Sequence, residues 1–269
     1  MMSVAEQLAT WTAELDGGGS SVRRRVLEEL RGRDGSLPPA LVTPLAACLD
    51  DPDRAVRRGA ADALGRIEDA AAVRTTLTPL LHAEDAALAW TAAYVLARAG
   101  GVPTSEVIAV LLRSLGHADR DCRWATVAVL ATHGQDIRVV DGLLDQADAS
   151  DPVARRMSLY CLRDVRVEGA RLEPLVLRRL VDPVAGVRLA ALALVGGGVR
   201  TPAVAAAVAT TVATDANVGV RRAAVAALRG CADLDVAREA LRRAARAQDG
   251  DVRRVARRAL GLDDASLDD

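Results

Sequence analysis

Residues 51–65 have the sequence DPDRAVRRGAADALG, and they contain the pattern that the rest of the chain repeats. We take Val56-Arg57 as the reference position of the repeat and call such a pair the mark. Small or apolar residues follow Val56 at the third, fourth, seventh and eighth positions. This spacing places them on one face of an α-helix, whereas the residues of a strand would alternate faces. The aspartates and the proline before the mark are typical of a helix start. The stretch therefore predicts a turn followed by an amphipathic helix.

The same pattern returns along the chain at steps of 32 to 34 residues. The eight marks begin at Val22, Val56, Leu88, Cys122, Ala154, Val187, Val220 and Val252. An apolar segment with helical spacing precedes every mark, so each unit predicts a hairpin of a first helix, A, and a second helix, B. The predicted A helices are 4–15, 41–49, 70–81, 105–115, 137–147, 172–181, 202–213 and 236–247. A regular period of this length predicts an array of stacked repeats.

The predicted fold class is all-α, a right-handed α-α superhelix (solenoid) of about eight helical hairpins. One domain is expected over residues 1–261, with repeats near 3–31, 33–68, 69–100, 102–134, 135–165, 167–198, 200–231 and 233–261. Residues 262–269, LDDASLDD, predict an acidic tail that is too polar to pack.

These repeats resemble the HEAT-repeat family, and most closely its short form, the phycobilisome-lyase HEAT-like repeat. The family carries an aspartate in the turn and Val-Arg at the start of helix B, and the resemblance implies a hydrogen-bonded ladder between neighbouring repeats. The matching aspartates, five residues before their marks, are Asp51, Asp182 and Asp215, and the matching arginines are Arg57, Arg188 and Arg221. Ala83 and Ala89 occupy the two ladder positions of the third repeat, so one rung is expected to be missing there.

Composition narrows the class of protein without naming a partner. Half of the residues are hydrophobic (51%) and only 2% are aromatic, which is typical of close helix packing built on Ala, Val and Leu. Lysine is absent, and we interpret this bias as the mark of a GC-rich bacterial genome. The net charge of −1 gives no overall attraction to nucleic acid or to an anionic membrane. No secretory signal or long apolar run is visible, so a cytoplasmic protein that makes no membrane contact is predicted.

Two rows of side chains on the B helices define the predicted binding surface. The second and sixth positions after the mark lie one turn apart and off the core face, and the resemblance implies that B helices line a concave groove. The second-position row is Arg24, Arg58, Trp90, Trp124, Arg156, Leu189, Arg222 and Arg254. The sixth-position row contains Tyr94 and Tyr160. Clustered exposed aromatics favour a binding site, and bulky packing in the central repeats is the alternative explanation.

The prediction that follows is a non-enzymatic scaffold for a protein or peptide partner. The aromatic centre would anchor an apolar side chain, and the flanking arginines would pair with acidic residues of the partner. The predicted partner-binding residues are Trp90, Tyr94, Trp124, Tyr160, Arg58, Arg156, Arg24, Arg222 and Arg254. The arginines directly after the marks are not included, because the ladder accounts for them. The oligomeric state is not predicted.

Two alternatives stay open from the sequence. One is a DNA-binding protein similar to the HEAT-like alkylpurine DNA glycosylases. That resemblance implies stacking by Trp90 and Trp124, phosphate contacts by the row arginines, and Asp62 as the catalytic carboxylate. The other is a small-molecule binding or tailoring protein that uses the same groove.

The sequence contains few motifs that are typical of catalysis or metal binding. No nucleophile elbow or catalytic triad spacing is present, so enzyme activity is not predicted. His82 and Glu84 are the nearest approach to the His-Glu pairs of the di-iron HEAT-like hydroxylases, and Ala83 separates them. The four cysteines lack metal-ligand spacing, and neither a metal nor a cofactor is predicted.

Overall fold

The computed structural model describes residues 3–165 and 167–262. The predicted acidic tail, apart from Leu262, lies outside the described residues. The backbone groups into two compact units, one ending at Ser114 and the other beginning at Leu115. The prediction of a single continuous domain stays a prediction.

Helical hairpins build both units. The A helices are α1 (Val4–Gly17), α3 (Val42–Ala47), α5 (Ala70–Leu77) and α7 (Ser105–Arg113) in the first unit, and α9 (Ile137–Gln146), α11 (Gly169–Leu180), α13 (Pro202–Thr214) and α15 (Asp235–Ala244) in the second. The B helices are α2 (Ser20–Arg31), α4 (Arg54–Leu64) and α6 (Ala86–Arg98) in the first unit, and α8 (Arg120–Thr132), α10 (Pro152–Asp164), α12 (Ala185–Gly196), α14 (Val218–Arg229) and α16 (Gly250–Ala259) in the second. The described residues form no strand beyond one isolated parallel bridge, between Leu37 and Ile67. The predicted all-α fold class of helical hairpin repeats is confirmed.

Aspartate side chains begin most of the B helices, as the turn sequences predict. Asp53 accepts a hydrogen bond from the backbone N–H of Ala55 (2.8 Å), and Asp151 and Asp249 cap α10 and α16 in the same way. Each carboxylate satisfies a backbone donor that has no partner inside the helix. Pro152 fills the first position of α10, where its missing N–H removes no helical hydrogen bond.

Three A segments differ from the continuous helices that the pattern predicts, and in the segment 105–115 the difference is a 3-10 turn, Ser114–Gly116, after α7. The segment 41–49 consists of α3 between two 3-10 turns, Pro39–Leu41 and Cys48–Asp50. The segment 70–81 is α5 followed by the 3-10 turn Thr78–His82. Pro79 lacks an N–H group and its ring crowds the carbonyl four residues earlier, so regular α-helical bonding ends at Leu77. A single 3-10 turn keeps nearly the same apolar spacing, and the sequence pattern therefore does not separate the two forms.

Aliphatic side chains fill the core of each unit. Leu45 and Leu111 in the first unit, and Leu143 and Val187 in the second, are fully inaccessible to solvent. Within the first unit α2 packs on α4 and α4 on α6, and within the second unit α10, α12, α14 and α16 pack in succession. Gly59 marks one close approach, because a Cβ atom there would come within 3.1 Å of a Leu27 side-chain atom. The B helices of each unit therefore lie side by side and present neighbouring faces.

Ion pairs between consecutive repeats form the implied ladder. Arg155 donates from Nε and Nη2 to the two carboxylate oxygens of Asp182 (2.9 and 3.1 Å), and Arg188 does the same to Asp215 (2.7 and 2.9 Å). Asp182 is 3% exposed. Burial alone would raise the pKa of its carboxyl, but hydrogen bonds from Arg155 and from the backbone of Val184 outweigh burial and lower the pKa. Each turn aspartate thus receives the arginine of the preceding repeat.

The ladder has further rungs and two gaps within the units. The other rungs are Arg23–Asp51 (2.7 Å) and Arg221–Asp249 (2.6 Å). Arg57 donates to carbonyls of its own turn and makes no ion pair within the described residues, and Ala83 stands five residues before the next mark. Arg123 donates to carbonyls of its own turn and makes no ion pair within the described residues.

The turn between α1 and α2 depends on a glycine that has no room for a side chain. A Cβ atom at Gly18 would lie 2.3 Å from the backbone oxygen of Glu14. We expect Gly18→Ala to lower the free energy of unfolding by about 1–3 kcal/mol, measured by urea denaturation. Gly17→Ala is the matched control, since nothing lies within 4 Å of a Cβ there. It should be neutral or stabilise by up to about 1 kcal/mol, and equal losses from both substitutions would contradict the prediction.

Candidate functional site

Three consecutive B helices of the first unit, α2, α4 and α6, line an open groove of about 840 Å³. Arg24 and Arg58 from the second-position row lie in its wall, together with Tyr94 from the sixth-position row. Glu28 and Asp62, also from the sixth-position row, contribute carboxylates. Positions four apart on a helix lie above one another, so successive B helices bring both rows to the same surface. The groove therefore contains three of the predicted partner-binding residues.

Arginines near the ends of the B helices add to this groove. Arg31, Arg66 and Arg98 stand nine or ten positions after their marks, about one turn beyond the sixth-position row. These positions lie outside the two predicted rows, although continuing the spacing of four residues leads to them. Together with Arg33, the lining contains six arginines and three carboxylates, a surplus of three positive charges. The surface is therefore locally cationic in a chain whose net charge is −1.

The groove arginines differ in how many hydrogen bonds and ion pairs they already make within the protein. Arg66 donates to carbonyls at the end of α2 and in the following loop (2.8 and 2.9 Å), so it fixes that loop. Arg24 approaches Asp53 only to 3.8 Å, a distance at which an exposed pair contributes little. Arg31 and Arg58 are exposed and make no ion pair within the described residues. Their guanidinium donors are available to a ligand.

One stacked aromatic pair lies on α6, next to the groove. The ring centroids of Trp90 and Tyr94 are 5.3 Å apart, with 30° between the planes. The Arg98 guanidinium lies over the Tyr94 ring, 5.1 Å from its centroid, and donates to the Tyr94 hydroxyl. The three residues are spaced four apart and follow one face of the helix. Both aromatic rings remain partly exposed.

A second stacked pair lies in the second unit. Trp124 on α8 and Tyr160 on α10 have ring centroids 5.5 Å apart, with 26° between their planes. Trp124 is 40% exposed, which is high for so large an apolar side chain. Arg163 covers the Tyr160 ring at 5.6 Å, and Arg156, partly exposed on α10, makes no ion pair within the described residues. Each unit thus has an aromatic pair on its B helices.

The last two predicted arginines are already engaged with a carboxylate. Arg222 on α14 lies 3.5 Å from Asp251, and Arg254 on α16 binds the same side chain. Two guanidinium groups therefore share one negative charge. We expect them to attract an acidic partner less strongly than Arg58 does, because part of their field is neutralised. The row pattern does not reveal this, since Asp251 belongs to neither row.

The described titratable groups form no recognisable catalytic arrangement. No cluster of three His, Cys, Asp or Glu residues within 3–165 and 167–262 could hold a metal ion. Burial raises the pKa of the Cys48 thiol to about 11 and that of Cys161 to about 12, so both stay protonated and act as packing groups. Asp62 is exposed on α4 and makes no hydrogen bond through its side chain among the described residues.

Comparison with known proteins agrees with this architecture. A family model described as HEAT repeats matches residues 8–75. A mutant of Kap121p superimposes with a TM-score of 0.70 and 12% identity, over 97% of this chain and 34% of that chain. Kap95p in a structure with RanGDP gives a TM-score of 0.68 and 12% identity, over 97% and 41%. The Escherichia coli protein YIBA gives 0.53 and 14% identity, over 88% and 95%.

The fold and these comparisons define a helical solenoid repeat protein, and the predicted resemblance to HEAT repeats is confirmed by the match over residues 8–75. The closer resemblance to the phycobilisome-lyase form stays a prediction. The chain spans less than half of the two Kap proteins. No curated sequence matches it. None of the helices in the described part of the chain is both long and apolar enough to cross a membrane.

Proposed function

We propose that this chain is a non-enzymatic scaffold that binds an acidic segment of a protein partner on the B-helix surface of its first unit. One observation carries the proposal. Arg24, Arg58 and Tyr94, from three successive B helices, line one groove with a surplus of positive charge. Extended concave surfaces of this kind are how stacked repeats commonly bind partners.

The groove chemistry favours a segment with carboxylates beside an apolar side chain. Arg58 can donate two parallel hydrogen bonds to a carboxylate, a geometry that is stronger and more directional than a point charge. Tyr94, backed by Trp90, offers a rigid aromatic surface against which an apolar side chain can be desolvated. Kap95p, which shares the fold at 12% identity, binds RanGDP, and this supports the ability of such repeats to hold a protein.

The second unit supports a further contact with the same or another partner. Trp124 and Tyr160 present a partly exposed stacked pair, and Arg156 adds a guanidinium on α10. Exposed aromatic surface next to an arginine is the composition that binding hot spots favour. The proposal therefore includes Trp124, Tyr160 and Arg156 as a second contact site, with Arg222 and Arg254 as weaker contributors.

Nucleic acid fits the groove less well than an acidic peptide. Glu28, Asp34 and Asp62 lie among the groove arginines, where they would oppose a continuous track of phosphates. A peptide can place neutral or basic residues opposite these carboxylates, whereas a phosphate backbone cannot. Duplex DNA is therefore the competing ligand in the test.

The test uses an array of twelve-residue peptides with glutamates around a central leucine, each paired with a glutamine version. We expect the full chain to bind the glutamate peptides and to show no binding to their glutamine versions. Tyr94→Ala and Arg58→Ala should each weaken binding by about 30-fold, the effect of a hot-spot residue worth about 2 kcal/mol. Fluorescence anisotropy with the best peptide gives the dissociation constants.

Arg74→Ala is the matched control, because Arg74 is an exposed arginine on the A helix of the same unit and does not line the groove. It should leave binding unchanged. If it weakens binding as much as Arg58→Ala does, the attraction comes from overall charge and the groove is not the site. If a duplex of twelve base pairs binds more tightly than every peptide, with a steep dependence on salt, the nucleic-acid alternative replaces the proposal.

A further inference from the structure

Two carboxylates lie between the arginines that line the groove of the first unit. Successive groove residues on α2, and on α4 with the turn after it, are three or four positions apart, so they share one face of their helix. They are Arg24, Glu28 and Arg31 on α2, and Arg58, Asp62 and Arg66 on and directly after α4. The two helices pack side by side. Each therefore presents positive, negative and positive charge in that order.

Neither carboxylate is used inside the protein. Glu28 and Asp62 are exposed, and their side chains make no hydrogen bond or ion pair within residues 3–165 and 167–262. An ion pair across four residues is possible on α2, because Arg25 and Glu29, which lie outside the groove, form one (2.6 Å). The groove carboxylates instead remain in contact with solvent, where an unpaired charge costs little. They are available to a ligand.

A uniformly acidic segment does not satisfy all the charges of this groove. Its first carboxylates can pair with Arg24 and Arg58, and its last with Arg31. The carboxylates between them would face Glu28 and Asp62, and like charges brought together at an interface are unfavourable. A basic side chain at that point would instead pair with both groove carboxylates. The groove therefore favours a segment whose charges alternate.

The separation of the charged positions fits an extended chain. An α-helix rises about 1.5 Å per residue, so positions four apart are about 6 Å apart along its axis. Alternate residues of an extended chain point to the same side and are about 6.6 Å apart. Ala55 and Gly59 also line the groove, and their small size leaves room for a backbone beside Arg58. An extended segment along α2 and α4 can thus place one side chain opposite each charged position.

We propose that Glu28 and Asp62 select a partner segment in which a lysine or arginine stands between two acidic residues, at alternate positions of an extended chain. This selectivity rests on the proposed function, because the same groove binds the segment. The arginines supply the attraction to acidic residues, and the two carboxylates decide the order of charges. A partner is therefore recognised by its charge order and not by net negative charge alone.

The test compares three peptides of one composition, blocked at both ends, with two glutamates and one arginine at alternate positions. The arginine stands between the glutamates in the first peptide, before both in the second and after both in the third, so the net charge is the same. Fluorescence anisotropy with the full chain gives the dissociation constants. We expect the first peptide to bind about tenfold more tightly than the others, the effect of one well-placed charge-assisted contact.

Substitutions of the two carboxylates identify the source of this preference. Asp62→Asn should weaken the preference, and Asp62→Asn with Glu28→Gln should abolish it. Asp34→Asn is the matched control for Asp62→Asn, because Asp34 is an exposed carboxylate of the same groove that lies in the loop beyond α2. It should keep the preference. The double variant should also bind the all-glutamate peptide more tightly than the wild type does, a gain that a misfolded variant could not show.

The all-glutamate peptide separates this selectivity from the proposed function. If it binds and the three isomers bind equally, charge order does not decide binding and only the selectivity is wrong. The same conclusion holds if the double variant keeps the wild-type preference. If neither the all-glutamate peptide nor any of the isomers binds, the proposed function is wrong as well.

Discussion

Replacing Asp182 with alanine is expected to lower the free energy of unfolding by about 3–5 kcal/mol, the usual cost of removing one partner from a buried ion pair. Arg155 is 8% exposed and donates two hydrogen bonds to Asp182, and Arg179 donates a third (3.1 Å). The substitution leaves the Arg155 guanidinium buried beside an apolar methyl group. Urea denaturation at pH 7, followed by circular dichroism, measures the loss.

Asp148→Ala is the matched control for that substitution. Asp148 also pairs with Arg179, but its side chain is 43% exposed and solvent screens the interaction. Exposed pairs of this kind contribute about 0–1 kcal/mol. Equal losses from Asp148→Ala and Asp182→Ala would show that burial of the ladder pair is not what stabilises the second unit.

Acid should remove the same stabilisation. The pKa values of Asp182 and Asp215 are lowered in the folded protein, where hydrogen bonds from Arg155 and Arg188 outweigh the opposing effect of burial. An unfolded aspartate titrates near about pH 4. The contribution is therefore complete above that pH and is lost as the pH falls below it, through the lower folded-state pKa. We expect the difference between wild type and Asp182→Ala to shrink as the pH falls below about 4.

Trp11→Ala is expected to have a similarly large effect, a loss of about 3–5 kcal/mol from the first unit, because it leaves a cavity under α1. Trp11 is only 5% exposed, and its Nε1 donates to Oε2 of Glu29 on α2 (2.9 Å). The Arg33 guanidinium lies over the ring at 5.1 Å. Urea denaturation gives the loss, and hydrogen exchange should show that α1 and α2 open first.

Two further substitutions separate the contribution of the Trp11 hydrogen bond from the contribution of its burial. Trp11→Phe keeps most of the buried area and removes the hydrogen bond, so we expect a loss of about 1–2 kcal/mol. It should also raise the pKa of Glu29, which the Trp11 N–H now holds below its usual value. Trp124→Ala removes the 40% exposed tryptophan of the second unit and should cost much less than Trp11→Ala. If the two alanine substitutions cost the same, burial does not explain the role of Trp11.

The repeat pattern predicted the helices well, because the apolar spacing and the capping aspartates act within one hairpin. The eight marks and the order of A and B helices agree with the structure. Differences arise where a neighbouring repeat decides the outcome. Trp11 lies on the first A helix, which has no preceding repeat to cover it, yet it is only 5% exposed because Glu29 and Arg33 of the next helix and loop contact it. Such contacts depend on side-chain orientation, which periodicity does not specify.

Part of the binding surface was predictable, because the spacing within a helix decides which side chains share a face. The second- and sixth-position rows brought Arg24, Arg58 and Tyr94 to one groove, because helical geometry alone places them. The pairing of Arg222 and Arg254 with Asp251 depends on which rotamers neighbouring helices allow, and no row pattern contains it. Asp249 shows the same limit, since it completes a rung from three residues before its mark, where the sequence pattern placed the aspartate five before.

The consecutive rungs make successive repeats of the second unit interchangeable in principle. Asp182 and Asp215 accept the arginine of the preceding hairpin through the same atoms, and each accepts the backbone N–H two residues later (2.9 and 2.8 Å). Excision of residues 182–214 would therefore bring Asp215 opposite Arg155 with the same donor geometry. Gain or loss of one whole period would therefore lengthen or shorten the second unit without creating an unmatched junction.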